Sequence, residues 1–176
     1  MSDAQPSVAS PPAVLTVNYA KEKGEGIVYG GILIAGVLIL HAITRAPTVA
    51  TIGALVVLYG ALYHWPFVRR DRRAMEISPG GLVIDRLGRL PWNAIAGADV
   101  VDRYLRAIRN AELQIELRRP LESAIENPAQ VHPLRRLMYR CWRSTGPQQI
   151  TVKLNTLDTA PELIRAVILQ YVGRAA

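Results

Sequence analysis

The chain has 176 residues with 21 basic and 14 acidic side chains, a formal charge of +7 and a pI near 10.0, yet half of its residues are hydrophobic. That length allows one domain plus an accessory segment, and the pairing of apolar bulk with positive charge points to extensive burial and an anionic partner. The single cysteine, Cys141, excludes an intramolecular disulfide and any C-x-x-C metal or redox pair.

Residues 1–25 are polar, and Met1 to Pro12 are rich in Ser, Pro and Ala. Such a composition buries too little surface to offset chain entropy, so residues 1–25 are expected to form a disordered tail. From Gly26 to Thr44 there is no Asp, Glu, Lys or Arg, and from Pro47 to Val68 the only titratable group besides tyrosine is His64. A spanning helix needs about 20 mainly apolar residues, and residues 26–44 and 48–68 both meet that need. Their apolar residues surround the whole helical circumference, which suits lipid better than one buried stripe; the alternative is a pair of buried core helices.

Only Arg45, Ala46 and Pro47 separate the two runs. A connection that short makes antiparallel neighbours, so residues 26–68 are expected to form a transmembrane hairpin with both chain ends on one side. Arg69, Arg70, Arg72 and Arg73 follow the second helix and Lys21 and Lys23 precede the first, whereas the turn holds only Arg45. The positive-inside rule then puts both termini in the cytoplasm, with residues 69–73 as a basic juxtamembrane segment. Tyr19, Tyr63 and Trp65 are placed near that boundary, where amphipathic rings collect. A cleavable signal peptide is not expected, because 25 polar residues precede the apolar run.

Gly26 with Gly30, Gly31 with Ala35 and Ala50 with Ala54 have the small-xxx-small spacing that lets helix backbones approach. These faces suit the hairpin itself, and also a homodimer. His41 and His64 could suggest haem, but in an antiparallel hairpin they lie roughly 15 Å apart in depth at 1.5 Å per residue, too far to share one iron within a monomer. No cofactor is expected.

From Ala74 onward the pattern changes to short runs with turn punctuation. Ala74–Ile77 and Leu82–Ile84 flank Ser78-Pro79-Gly80-Gly81, a turn signal, and Leu90–Trp92, Ile95–Asp102, Ala111–Arg118 and Ile150–Leu154 follow. In the run 111–118, Leu113, Ile115 and Leu117 alternate with Glu112, Gln114, Glu116 and Arg118, the mark of a half-buried antiparallel strand. Thr159-Ala160-Pro161-Glu162 reads as a capping box opening a helix whose apolar face is Ile164, Val167, Ile168 and Tyr171, with Gly173 as its stop. The expected class is α+β: the hairpin, then a small antiparallel barrel or sandwich of five or six strands capped by a C-terminal helix.

The run Met75-Glu76-Ile77-Ser78-Pro79-Gly80-Gly81-Leu82-Val83-Ile84, followed by Leu90-Pro91-Trp92-Asn93-Ala94-Ile95, resembles the opening of bacterial pleckstrin-homology-like domains. With a membrane hairpin before and one helix after, the layout over residues 24–172 is similar to a group of small bacterial inner-membrane proteins of unknown function. The resemblance implies a PH-like domain over residues 74–176, with Trp92 and Ile95 in its core, and a multi-pass location in the bacterial inner membrane. It brings no catalytic residue. The loop Ser78-Pro79-Gly80-Gly81 lacks the basic residues with which such domains hold phosphoinositides, so that ligand is not implied.

Residues 119–148 interrupt the sheet as an insertion broken by Pro120, Pro128 and Pro133. Between Leu134 and Arg143, Leu134, Leu137, Met138, Cys141 and Trp142 share one helical face while Arg135, Arg136, Arg140 and Arg143 crowd the rest. This is the pattern of an interfacial helix, to which anionic lipid adds about 1 kcal/mol per basic residue. A helix packed on the barrel or in a partner's groove is the alternative.

No nucleophile elbow, phosphate-binding glycine loop, H-E-x-x-H or paired-carboxylate spacing occurs. Cys141 lies beside Arg140 and Arg143, which would lower a thiol pKa, but no histidine partner is indicated. No nucleic-acid motif is present, and much of the basic charge adjoins the hairpin. The expectation is a non-enzymatic interaction module at the cytoplasmic face, contacting anionic lipid or a membrane protein through Arg69, Arg70, Arg72, Arg73, Arg135, Arg136, Arg140, Arg143 and Trp142. The alternatives are an accessory subunit or assembly factor of a larger membrane complex, or an enzyme whose site only folding assembles.

Overall fold

A computed structural model describes residues 14–44, 47–105 and 108–175. Two long helices, α1 (Glu25–Thr44) and α2 (Pro47–His64), pack antiparallel, and both are long and apolar enough to cross a membrane. Only 11% and 17% of their most apolar stretches is buried, whereas the core helix of a soluble domain would be mostly covered. Their seam is made of small residues. Ala35 of α1 and Ala50, Ala54 and Ala61 of α2 are buried, and a Cβ on Gly31 would lie 3.3 Å from Ala61 Cβ. Gly26 and Gly30 face open space instead. The Gly31/Ala35 and Ala50/Ala54 pairs therefore serve the hairpin, and the Gly26/Gly30 pair does not.

The rest of the chain is α+β with two antiparallel sheets. The first, in the order β1-β2-β3-β4-β7, holds β1 (Leu15–Asn18), β2 (Arg73–Ser78), β3 (Gly81–Ile84), β4 (Gly88–Leu90) and β7 (Glu126–Pro128). The second, in the order β5-β6-β9-β8, holds β5 (Ile95–Leu105), β6 (Ile108–Leu117), β9 (Gln149–Lys153) and β8 (Trp142–Gly146). Alternation decides what each strand buries: Met75, Ile77, Leu82, Ile84 and Leu90 from the first sheet meet Leu113, Ile115, Ile150 and Val152 from the second. The C-terminal helix α5 (Pro161–Ala175) adds Ile164, Val167 and Ile168 to this core. Trp92 stacks on Tyr171 at 5.0 Å and donates from its indole to Ser78 O at 2.9 Å; Trp92 and Ile95 are both buried. The Pro-Gly turn forms as expected. Gly81 adopts φ +128° and lies so close to Leu90 O that a Cβ would approach it to 2.6 Å, so glycine is required there.

Several expectations are corrected. Residues 1–13 lie outside the described residues, but Leu15–Asn18 is not tail: it pairs with β2, placing Leu15 opposite Ile77 and Val17 opposite Met75. The expected five or six strands are nine among the described residues. The insertion 119–148 is not wholly outside the sheets: after a short helical turn, α3 (Leu121–Ala124), it supplies β7 to the first and all of β8 to the second. The amphipathic helix over 134–143 does not form. A short turn of helix, α4 (Pro133–Arg136), ends there, and Trp142–Gly146 pairs with β9 instead. A ten-residue helix is marginal alone, and the end of that segment pairs along one edge with β9. Ahead of the C-terminal helix, Thr159 Oγ1 donates to Asp158, whose carboxylate accepts from Asn18 N at 3.0 Å. Gly173 does not stop α5, which continues to Ala175.

Candidate functional site: an arginine-lined cleft at the base of the hairpin

The hairpin and the two-sheet domain meet at an aromatic joint. The 3-10 turn Trp65–Phe67 ends the second helix and inserts Phe67 between Tyr19 and Tyr139, with ring centroids 5.3 and 5.0 Å away. Tyr63 of α2 meets Tyr139 edge-on at 5.9 Å, and Tyr139 N donates to Tyr63 O at 2.7 Å. This bond satisfies a carbonyl that the helix end would otherwise leave without an intrahelical partner. Gly24, just before α1, packs so tightly that a Cβ would lie 2.5 Å from Phe67 Cβ. Both helix ends are thus fixed to the domain. Tyr19 is fully buried here, so it belongs to the joint and not to an outer aromatic belt, whereas Tyr63 and Trp65 are 36% and 40% exposed.

Asp85 and Arg86, in the turn after β3, organise the surface beside this joint. Asp85 accepts from Tyr19 Oη at 3.0 Å and from Arg135 Nη2 through both carboxylate oxygens at 3.0 Å, and its backbone carbonyl accepts from Trp142 Nε1 at 2.8 Å. Arg86 adopts φ 64°, a left-handed conformation uncommon for a side-chain-bearing residue. From there its guanidinium donates to Met138 O at 2.7 Å and Arg136 O at 3.2 Å, tying down the loop that follows α4. Arg86 Nε is buried without a hydrogen-bond partner. Desolvation pulls the Arg86 pKa below its ordinary value, and the positive charges of Arg140 and Arg135 act in the same direction.

The expected arginines do not act as one surface. Arg135 is 18% exposed and held by Asp85, Arg143 donates to both carboxylate oxygens of Glu112 at 3.2 Å, and Arg73 pairs with Glu76 at 2.9 Å. Arg72 donates to Tyr19 O at 3.3 Å. Trp142 sits on β8 with its indole nitrogen tied to the Asp85 carbonyl, so it is not presented as an interfacial anchor. Arg69, Arg70, Arg136 and Arg140 are exposed, and none of these four has an ion-pair partner among the described residues. Arg140 lies over the Trp142 ring at 4.9 Å, a cation–π arrangement that orients its guanidinium.

Two neighbouring clefts result. The larger, about 450 Å³, is lined by Arg69, Arg73, Arg86, Arg89 and Arg135 but also by Asp71, Glu76 and Asp85. The smaller, about 410 Å³, lies between Tyr59 and Tyr63 of α2 and the loop Arg136, Leu137, Met138 and Arg140, with Arg86 holding that loop. Among the described residues no carboxylate lines it. Tyr59 and Arg86 were not expected at a site: Arg86 is a single arginine within a turn, and its contacts lie about fifty residues downstream. The one signal available was the run Asp85-Arg86-Leu87-Gly88, a polar turn with a charge pair.

Cys141 is fully buried, and burial pushes its thiol up to about 12, opposite to the lowering expected from Arg140 and Arg143. Among the described residues no group of three or more His, Cys, Asp or Glu is placed to hold a metal. His41 and His64 stand towards opposite ends of the hairpin, and His64 Nδ1 lies 3.0 Å from Gly60 O. No protein-family model, curated protein or solved structure matches this chain.

Proposed function

We propose that this chain is a non-enzymatic, membrane-anchored interaction module, its hairpin spanning the bacterial inner membrane with both termini in the cytoplasm and its PH-like domain held against the inner leaflet. The observation that carries this is the joint itself. Gly24, Tyr63 and Phe67 lock the charged ends of two outward-facing apolar helices to the domain, so the exposed arginines 69, 70, 136 and 140 gather at one end of the hairpin. An anionic leaflet attracts such residues by about 1 kcal/mol each and falls off within a Debye length, so only charges close to the helix ends gain from it. Exposed Leu134 and Leu137, 55% and 49% accessible, supply the apolar side of the same contact.

The test uses the full chain in nanodiscs. Amide exchange across residues 134–140 should slow when neutral phosphatidylcholine is replaced by a mixture with phosphatidylglycerol, and the slowing should vanish at high salt. Equal exchange in both bilayers would leave a protein partner as the contact of this face. Topology is tested by labelling an Arg45→Cys variant in intact cells, since Cys141 is buried and silent; labelling only from outside is expected, and labelling only after lysis would reverse the orientation.

A further inference from the structure

The smaller cleft at the foot of α2 goes beyond a diffuse basic face. Arg136 ends α4 and Arg140 lies in the loop after it, and among the described residues no carboxylate lines the cavity they share with Arg86. The larger cleft differs in this respect, because carboxylates line it and two of its arginines, Arg135 and Arg73, are paired with its own Asp85 and Glu76. Arg136 and Arg140 have no ion-pair partner among the described residues, and Arg86, whose charge the adjacent Asp85 partly offsets, keeps a buried Nε with no partner among them, so the cavity of about 410 Å³ carries net positive charge. Arg140 is already oriented by the Trp142 ring, and the loop is pinned through the carbonyls of Arg136 and Met138. Little ordering therefore remains to be done when a ligand enters.

The opposite wall identifies the ligand. Tyr59 lies five residues before His64 at the end of α2, so the cleft extends roughly 7 Å back along the apolar helix at 1.5 Å per residue. Tyr59 is 54% exposed and Tyr63 36%, their rings are 6.5 Å apart, and Leu137 lies across from them. One end of the cavity is thus cationic and the other is continuous with the outward apolar face of a helix able to cross a membrane.

We infer that the cleft is a discrete site for one anionic phospholipid, its phosphate held by Arg136 and Arg140 and its glycerol and first acyl carbons lying against Tyr59 and Leu137. Arg86 is a positioning residue that sets the loop. This rests on the leaflet contact proposed above. A soluble phosphate would use the arginines alone and leave the Tyr59 wall without a role.

Native mass spectrometry of the full chain released from detergent counts bound lipid directly. With phosphatidylglycerol as the probe, one molecule should be retained in preference to phosphatidylcholine. The pair Arg136→Gln with Arg140→Gln should weaken retention roughly twenty-fivefold, two contacts of about fivefold each, while the charge-matched pair Arg69→Gln with Arg70→Gln should leave it within about twofold. All four positions are exposed, so each variant is expected to melt like the parent. Tyr59→Ala should also weaken retention, which a purely electrostatic contact would not predict. Equal losses in the two arginine pairs would overturn the discrete site while leaving the leaflet contact standing. Failure of the parent to prefer phosphatidylglycerol would remove both. Release of the lipid by excess inorganic phosphate would assign the cavity to a soluble phosphate and overturn the lipid.

Discussion

The amide of Tyr139 donates to the carbonyl of Tyr63 at 2.7 Å, and the two rings meet edge-on at 5.9 Å. Tyr63 lies in the last turn of α2 and Tyr139 in the loop before β8, so this pair joins the hairpin to the domain. Its consequence is that the arginine loop cannot move independently of the helix end. The same loop is held a second time by Arg86, and the stability of the joint therefore sets the geometry of the cleft.

Gly24 gives the most direct test of that joint. A methyl there would sit 2.5 Å from Phe67 Cβ and 2.7 Å from Cγ, distances at which something has to shift. Gly24→Ala should destabilise the domain by about 1–3 kcal/mol, the range for overpacking. Thermal unfolding followed by circular dichroism in detergent measures it; an unchanged midpoint would mean that Phe67 yields without cost.

Asp85 should be more sensitive than any exposed carboxylate. Replacing it by Ala removes the acceptor of Tyr19 and leaves Arg135, 18% exposed, without its counter-charge. Breaking a buried pair from one side costs about 3–5 kcal/mol, and the residual exposure of this one lowers the expectation to about 2–3 kcal/mol. In a double-mutant cycle, Arg135→Met should recover part of the loss, because the stranded charge is gone. Additive losses would show the pair to be uncoupled.

Some of this architecture was legible because it is local. The period of two in Leu113, Ile115 and Leu117 marks β6, all three being buried, and the apolar length of α1 and α2 needs no partner to be recognised. What was hidden depends on distant pairing. Leu15–Asn18 is four residues with no pattern of its own, and it becomes a strand only because Ile77 and Met75 lie across from it. Leu134 to Trp142 carries a true helical period, but Cys141 is drawn into the core and Trp142 pairs with Val152, so the tertiary context wins. The cleft was half legible: Arg136 and Arg140 stood out as part of a cluster, whereas Arg86 and Tyr59 reach it only through the fold.

The seam of the hairpin separates two small-residue faces that look alike in sequence. A Cβ at position 31 already lies 3.3 Å from Ala61 Cβ and 3.6 Å from Val57 O, so Gly31→Leu must push against α2, whereas a Cβ at position 30 has nothing within 4 Å and Gly30→Leu starts into open space. The first should lower the thermal midpoint in detergent and the second should leave it unchanged. Matching effects would show that the Gly30 face is also packed, and a change in oligomeric mass with Gly30→Leu alone would assign it to a homodimer.

Alkaline pH should unfold the protein through Cys141. Burial raises its thiol from 9.0 to about 12, and burial likewise raises Tyr139 from 10.0 to about 12. The folded state therefore binds these protons more tightly than the unfolded state, and between pH 9 and 12 the unfolded chain releases them first. Their contribution to stability is complete below pH 9 and is lost as pH rises towards 12. The denaturant midpoint should hold steady from pH 7 to 8.5 and fall progressively above 9, and Cys141→Ala should flatten the early part of that fall while leaving the part due to Tyr139 and to Tyr19, which burial also raises. The same burial predicts that a thiol reagent modifies Cys141 only at the rate of opening, so modification at pH 8 should accelerate with denaturant. A thiol that reacts at once in the native protein, or a midpoint independent of pH up to 11, would contradict the buried placement of Cys141 against Tyr19.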